Sequence, residues 1–248
     1  MISKASISCA LVSGAEVDRV QYYLLSEVDR ASEQLIDLTH SQNLSSISLC
    51  SVVPAVKSNL LDRLHREEIE AFDITYENQR LIAGLYPGIG ADRIADLAAA
   101  YKIYAKERAA VVLDFGTATT MSVVSATGQF LGGLITLGLG KTFASLHHAT
   151  AQLPDLQKVF EAREPVVFGK NTQDAVISGC LLGHIGGIKH WIELAKNEIG
   201  GDLTVIATGG YSGEVLRRIA AIDHHDPYLV FKGIGFIAEA ALNGDSKR

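Results

Sequence analysis

Val111-Val112-Leu113-Asp114-Phe115-Gly116-Thr117-Ala118-Thr119-Thr120 decides how the rest of this chain is read. A short, apolar, β-branched run ends on a carboxylate, and a glycine turn then delivers a series of hydroxyls. Asp114, at the strand end, is placed to hold Mg²⁺ or K⁺ or to orient a phosphate-bound water. Gly116 lets the backbone approach a phosphate with no side chain in the way. Thr117, Thr119 and Thr120 offer hydroxyl and amide donors to phosphate oxygens. An ordinary strand followed by an Asp-x-Gly turn is the plain alternative. The Thr-Ala-Thr-Thr tail and the Gly-rich continuation favour a phosphate grip, and with it nucleotide chemistry.

Outward from this stretch, the pattern is α/β. Ala5–Val12 and Arg19–Leu25 read as a hairpin around Ser13-Gly14-Ala15, and Glu27–Asn43 as a helix. Ser45–Val53 reads as a strand closed by Pro54, which suits the first turn of a helix to about Arg66. Ala71–Thr75 is a further strand, Gly84–Gly90 a loop and Ala91–Lys106 a helix. Val111–Leu113, Met121–Ser125 and Phe130–Ile135 form a meander with a Thr127-Gly128 turn. From Lys141 the chain is mostly helical, interrupted by a strand at Val205–Ala207. A strand at Leu229–Phe231 is expected before a final helix, Phe236–Asn243. Strand-rich units followed by helices occur twice, which suggests two related halves.

At 248 residues, 48% of them hydrophobic and 20% charged, the chain can bury one large core or two smaller ones. A net charge of −6 argues against a nucleic-acid binder. Cys9, Cys50 and Cys180 are odd in number and without CxxC spacing, as expected of reduced thiols in the cytoplasm. No stretch approaches the roughly 20 apolar residues of a membrane span, and Met1–Val12 makes a poor signal peptide.

Other stretches carry candidate chemistry. In Gly90-Ala91-Asp92-Arg93, Asp92 is either a helix cap or the acceptor of a substrate hydroxyl's proton. Arg93 beside it could pair with a carboxylate or phosphate through a forked contact. Gly140-Lys141-Thr142 imitates a Walker A ending, but that loop needs Gly at 135, where Ile135 stands. The glycines of 132–140 read instead as sites of close backbone packing. Thr208-Gly209-Gly210 ends a strand and either meets an adenine or ribose or is only a turn. Asn171 or Thr172 would cap the helix that follows, and Thr172 could also reach a substrate. His147-His148 and His224-His225 lack metal-site spacing and read as surface helix or loop.

Taken in order, Gly-Ala-Asp-Arg (90–93), Asp-Phe-Gly-Thr-Ala-Thr-Thr (114–120), Leu-Gly-Gly-x-Ile (131–135), Thr-Ala-x-Leu-Pro (150–154), Gly-Lys-Asn-Thr (169–172), Thr-Gly-Gly (208–210) and Asp-Pro-Tyr-Leu-Val-Phe-Lys-Gly (226–233) closely resemble the type III pantothenate kinases. Tyr86-Pro87 ahead of Gly-x-Asp-Arg is most similar to the cyanobacterial branch. The resemblance implies an α/β fold of the actin-like ATPase (sugar kinase/Hsc70/actin) type. Two ribonuclease-H-like domains, 1–106 and 107–248, would flank a nucleotide cleft, with the last helix packing back on the first. It implies ATP-dependent phosphorylation of pantothenate to 4′-phosphopantothenate, the first step of coenzyme A biosynthesis. It further implies Mg²⁺, a monovalent cation (K⁺ or NH₄⁺) and a cytoplasmic homodimer, with neither nucleic acid nor membrane as partner. Asp92 would be the proton acceptor, and Tyr86, Gly90, Ala91, Asp92, Arg93 and Thr172 would bind pantothenate. Gly116, Thr117, Thr208, Gly209 and Gly210 would bind ATP, and Asp114 would hold the cation.

Two departures bear on activity. The family opens with a strand ending Asp-x-Gly-Asn-Thr, whereas Ser3, Lys4 and Ala5 stand in place of Gly-Asn-Thr and the Asp has no counterpart. Leu137 stands where the family has Pro before Gly138. Loss of metal-mediated charge stabilisation would cost several kcal/mol of barrier. The expectation is therefore an open reading frame extending upstream of Met1, or else a catalytically impaired homologue that binds a ligand or regulates a partner.

Overall fold

A computed structural model of the chain describes residues 1, 6–44, 46–157 and 163–245. Ser3, Lys4 and Ala5 lie outside the described residues. The contacts divide the chain into two units: residues 1–106, 124–130 and 228–248 form the first, and residues 107–123 and 131–227 the second.

In the first unit, β1 (Ser6–Ser13) and β2 (Glu16–Leu24) pair antiparallel around Gly14, whose φ of +59° suits a glycine turn. A 3₁₀ turn at Leu25–Glu27 leads into α1 (Val28–Ser41), so the helix starts just after Glu27, whose carboxylate accepts the Leu24 N–H at 2.8 Å. β3 (Ser46–Leu49) and β4 (Glu70–Asp73) lie parallel, joined by α2 (Pro54–Arg66) with Pro54 in its first turn as predicted. Ile7, Tyr23, Ala31, Leu49, Leu60, Leu64 and Ile69 close one core over this face. In the loop ahead of Ala91, Ala83 is bonded to the hairpin turn of residues 125–130. Ala83 donates its N–H to Gly128 O and accepts that of Phe130, both at 2.9 Å.

Helix α3 (Ala91–Ala99) continues into a π-helical turn, Ala100–Tyr104. It packs against α7 (Leu229–Asp245). The strand expected at Leu229–Phe231 is the first turn of this helix, in which the Phe231 and Lys232 N–H groups both bond Tyr228 O. A short apolar run carries no period by which helix and strand can be told apart. Here burial at Leu229, Gly233 and Ile237 recurs every four residues. Gly233 is where α7 meets α3, and a Cβ there would overlap the carbonyl of Ala95.

The second unit is a five-stranded sheet in the order β7-β6-β5-β8-β9. β5 (Ala109–Phe115), β6 (Ala118–Val124) and β7 (Phe130–Leu137) run as the predicted meander. β8 (Leu203–Thr208) lies parallel to β5, and β9 (His224–His225) parallel to β8. His224-His225 is thus an edge strand and not the surface loop the sequence suggested. The neighbouring Asp223 and Asp226 N–H groups bond Val205 O and Ala207 O at 2.9 Å, and the Asp223 carboxylate accepts the Val205 N–H at 2.8 Å. The other histidine pair lies in α4 (Leu139–His148).

α5 (Thr172–Ile199) covers the sheet with a stripe of Ile177, Leu181, Ile185, Ile188 and Ile192, spaced three and four apart. α6 (Ser212–Leu216) completes the unit. From α5, His184 reaches Thr119 of β6, Nε2 to Oγ1 3.1 Å, and meets the Phe115 ring edge-on. Burial lowers the His184 pKa, because desolvation penalises the charged imidazolium.

Two measurements follow from this packing. Gly233→Ala should destabilise the protein by about 2–3 kcal/mol in urea unfolding, because two helix backbones must separate to admit one methyl group. His184 is neutral in the fold and protonates more readily once unfolded. Its contribution is therefore present above the unfolded pKa of about 6.5 and lost as pH falls through the folded value. The melting temperature should drop on acidification below that pH, and His184→Gln should flatten this part of the profile.

Candidate active site

The first group of candidate residues opens α3. Gly90 is the N-cap, with extended backbone, and Ala91, Asp92 and Arg93 form the first turn. Asp92 Oδ1 accepts the Arg93 N–H at 2.8 Å. The carboxylate thus satisfies one of the donors that a helix start leaves open. A Cβ on Gly90 would overlap that same oxygen, so glycine at 90 is what allows Asp92 to fold back. Of the nine residues of α3, every one except Asp92 is buried. Capping and chemistry are therefore compatible: one carboxylate oxygen serves the helix, on the only residue of α3 that is not sealed inside.

Arg93 is only 7% exposed. Its Nη1 donates to Tyr86 Oη at 2.9 Å, and its guanidinium carbon lies 5.9 Å from the centre of the Phe130 ring. Tyr86 comes from the loop ahead of α3, and its ring centroid is 6.0 Å from that of Phe130. The sequence offered Tyr86 and Arg93; nothing in its spacing pointed to Phe130, which the hairpin of residues 124–130 brings in.

The second group surrounds the end of β5. Asp114 is the one residue of that strand not buried, and it stands opposite Thr208 in the parallel register. Gly116 donates to Ala118 O at 3.1 Å, making the tight turn into β6. Gly209 follows Thr208 at φ +90°, and a Cβ there would overlap the Asp114 carboxylate and come within 2.7 Å of the Phe115 backbone. Tyr211 donates its N–H to Phe115 O at 3.0 Å. Ser212, whose Oγ donates to Gly209 O and meets His225 Nε2 at 2.8 Å, holds this second turn. On the other side, Gly138 donates to Thr117 O at 3.0 Å, and a Cβ on it would overlap the carbonyls of Gly116 and Thr117.

The glycines therefore divide by cause. Gly138 and Gly209 are required by the protein's own packing. Gly116 and Gly210 are not: a Cβ on Gly116 would make ordinary contacts at 3.5 Å, one on Gly210 would meet nothing within 4 Å, and neither has a left-handed φ.

Thr119 and Thr120, offered by the sequence as phosphate donors, are buried in β6, and the Thr119 hydroxyl is engaged with His184. A strand's side chains alternate, but here both faces of β6 are covered, so hydroxyls beyond the turn point into protein. Thr117, in the turn, stays half-buried. Thr172 is the exposed first residue of α5, and the Asn171 side chain caps that helix by accepting the Asp174 N–H at 2.9 Å. Leu137 is half exposed. Among the described residues, no group of three His, Cys, Asp or Glu side chains could hold a metal ion, and no helix is long and apolar enough to cross a membrane.

The model of the type III pantothenate kinase family matches residues 6–194. A type III pantothenate kinase of Moorella thermoacetica is 30% identical, covering 96% of this chain and 96% of its own. One of Syntrophobacter fumaroxidans is 35% identical over 79% of this chain and 76% of its own. Among solved structures, a Campylobacter jejuni protein described as a Baf family transcriptional activator superposes with a TM-score of 0.61 at 20% identity, covering 98% of this chain and 97% of its own. The activator of 2-hydroxyisocaproyl-CoA dehydratase from Clostridium difficile, with bound ADPNP, gives 0.54 at 9% identity, covering 100% and 96%. The fold is that of the actin-like ATPases. Ordered motifs, matched family and shared architecture agree: the chain belongs to the type III pantothenate kinases, the enzymes that phosphorylate pantothenate with ATP in coenzyme A biosynthesis.

Proposed function

We propose that Asp92 is the residue on which phosphoryl transfer turns in this chain. Its carboxylate would orient the pantothenate hydroxyl and take its proton as the hydroxyl oxygen bonds to the γ-phosphorus of ATP. The bond from that phosphorus to the bridging oxygen breaks, and ADP leaves. The observation that carries this reading is that Asp92 alone in α3 is not buried, with its carboxylate fixed at the helix start. Arg93 would bind the pantothenate carboxylate, for which a guanidinium is suited by its forked donors. Gly90 and Ala91 would line the same site, Tyr86 would hold Arg93 and contact the substrate, and Thr172 would add a hydroxyl.

For ATP we assign Gly116, Thr117, Thr208, Gly209 and Gly210. Support comes from Gly116 and Gly210, which the fold leaves free to carry a side chain and which a closely approaching phosphate or ribose would not. Asp114 fits a monovalent cation such as K⁺ or NH₄⁺: it is a carboxylate at a strand end, walled by Gly116 and Gly209. When bound, such a cation offsets the charge of the phosphates. Mg²⁺ commonly arrives on substrate phosphates with only one or two carboxylates from the protein, which fits a chain without a three-residue metal cluster among its described residues. We place the reaction in the cytoplasm, where ATP is at hand and the three free cysteines remain reduced.

A homodimer is proposed on the outer face of α5. Gly179, Gly183 and Gly187 lie four residues apart, with nothing within 4 Å of an added Cβ, and Leu182 and Leu194 beside them are 43% and 47% exposed. Such a face allows the same helix of a second copy to approach closely, as a two-fold interface requires.

Turnover of ATP and pantothenate with K⁺ tests the chemistry. Asp92→Asn should lower kcat by about 10²- to 10⁴-fold with the melting temperature little changed; a loss below tenfold would exclude Asp92 as the proton acceptor. Asp114→Asn should raise the K⁺ concentration needed for half-maximal rate. A wild-type chain that binds pantothenate yet yields no phosphopantothenate would leave a binding protein instead. Light scattering should give twice the mass of one chain, reduced to one by Gly183→Glu; a monomeric wild type would remove the dimer.

A further inference from the structure

Phe130 has no part in the roles assigned above, yet it faces the buried cation of the substrate group. We propose that Phe130 is a positioning residue for pantothenate: its ring holds the Arg93 guanidinium in the orientation that receives the substrate carboxylate. This rests on the assignment of Arg93 to pantothenate.

Arg93 is only 7% exposed as a residue, and a charged side chain so buried must be compensated by its neighbours. Two of those neighbours are aromatic. Tyr86 Oη accepts from Nη1 at 2.9 Å, the Phe130 ring centroid lies 5.9 Å from Cζ, and the two rings are 6.0 Å apart at 42°. The three groups form a triangle with a contact on every side. A carboxylate in the position of Phe130 would also hold Arg93, but would cancel its charge. A ring face attracts the cation through its quadrupole without itself neutralising the charge.

The ring itself is fixed from behind. The Phe130 N–H bonds Ala83 O at 2.9 Å, three residues ahead of Tyr86. Gly128, at φ +79°, turns the chain where a Cβ would press on Leu81 O at 3.0 Å and on the Tyr101 ring at 3.2 Å. The hairpin turn is therefore strapped to the segment that carries Tyr86. Phe130 is only partly buried, which sets it apart from an ordinary core phenylalanine.

Steady-state kinetics of the full chain decide the matter, with pantothenate and ATP varied separately. Phe130→Leu should raise KM for pantothenate roughly three- to thirty-fold, with kcat and KM for ATP within about twofold. Phe130→Tyr, which keeps the ring face, should restore it. Pentafluorophenylalanine at 130 has nearly the same shape with the opposite quadrupole. It should act like Phe130→Leu, and it decides the question if the leucine variant does not fold. In an Arg93→Gln background, Phe130→Leu should add nothing, since the ring then has no cation to hold. If Arg93→Gln raises KM for pantothenate while neither the leucine nor the fluorinated variant does, the role of Phe130 is overturned and the assignment of Arg93 stands. If Arg93→Gln leaves that KM unchanged, both fall.

Discussion

Backbone pressed on backbone around the turn of residues 114–117 is the constraint on which the second unit depends. Gly209 lies against Asp114 and Phe115, and Gly138 against Gly116 and Thr117, at separations no side chain survives. Bonds from Gly138 to Thr117 O and from Tyr211 to Phe115 O close the clamp. Three segments far apart in sequence thereby fix one turn, and the carboxylate of Asp114 is held without relying on a flexible loop. Close-packed interiors transmit such constraints because there is no free volume to absorb a shift. In the first unit, α3 does comparable work. Its alanines and Gly233 let α7 approach closely, so the helix carrying Asp92 and Arg93 is sealed along its length and open only at its start.

Much of this was legible where the signal is local. The apolar run of β5 with its terminal Asp, the proline at the start of α2, the Thr127-Gly128 turn and the Asn171 cap each depend on a few neighbouring residues. Their physical cause lies within reach of the sequence pattern. The Gly-Ala-Asp-Arg stretch was legible as a helix start, and its glycine leaves room for the Asp92 carboxylate to fold back over the first turn.

What escaped depends on partners distant along the chain. Thr119 reads as a phosphate donor until His184, 65 residues on, claims its hydroxyl. Phe130 reads as the first residue of a strand until a hairpin carries it to Arg93. Leu229–Phe231 is apolar enough for either element, and only packing at Gly233 selects the helix. His224-His225 becomes a strand because β8 offers it unpaired backbone, a property of β8 more than of two histidines.

The contrast between glycines has a practical side for anyone engineering this chain. Replacing glycine by alanine where the backbone permits it usually stiffens the denatured ensemble and raises thermal tolerance. Gly116 and Gly210 meet that criterion on steric grounds. A thermostabilisation campaign guided by melting curves alone would accept both exchanges and, with the nucleotide seated against these glycines as proposed, would harden the scaffold while crowding out the triphosphate.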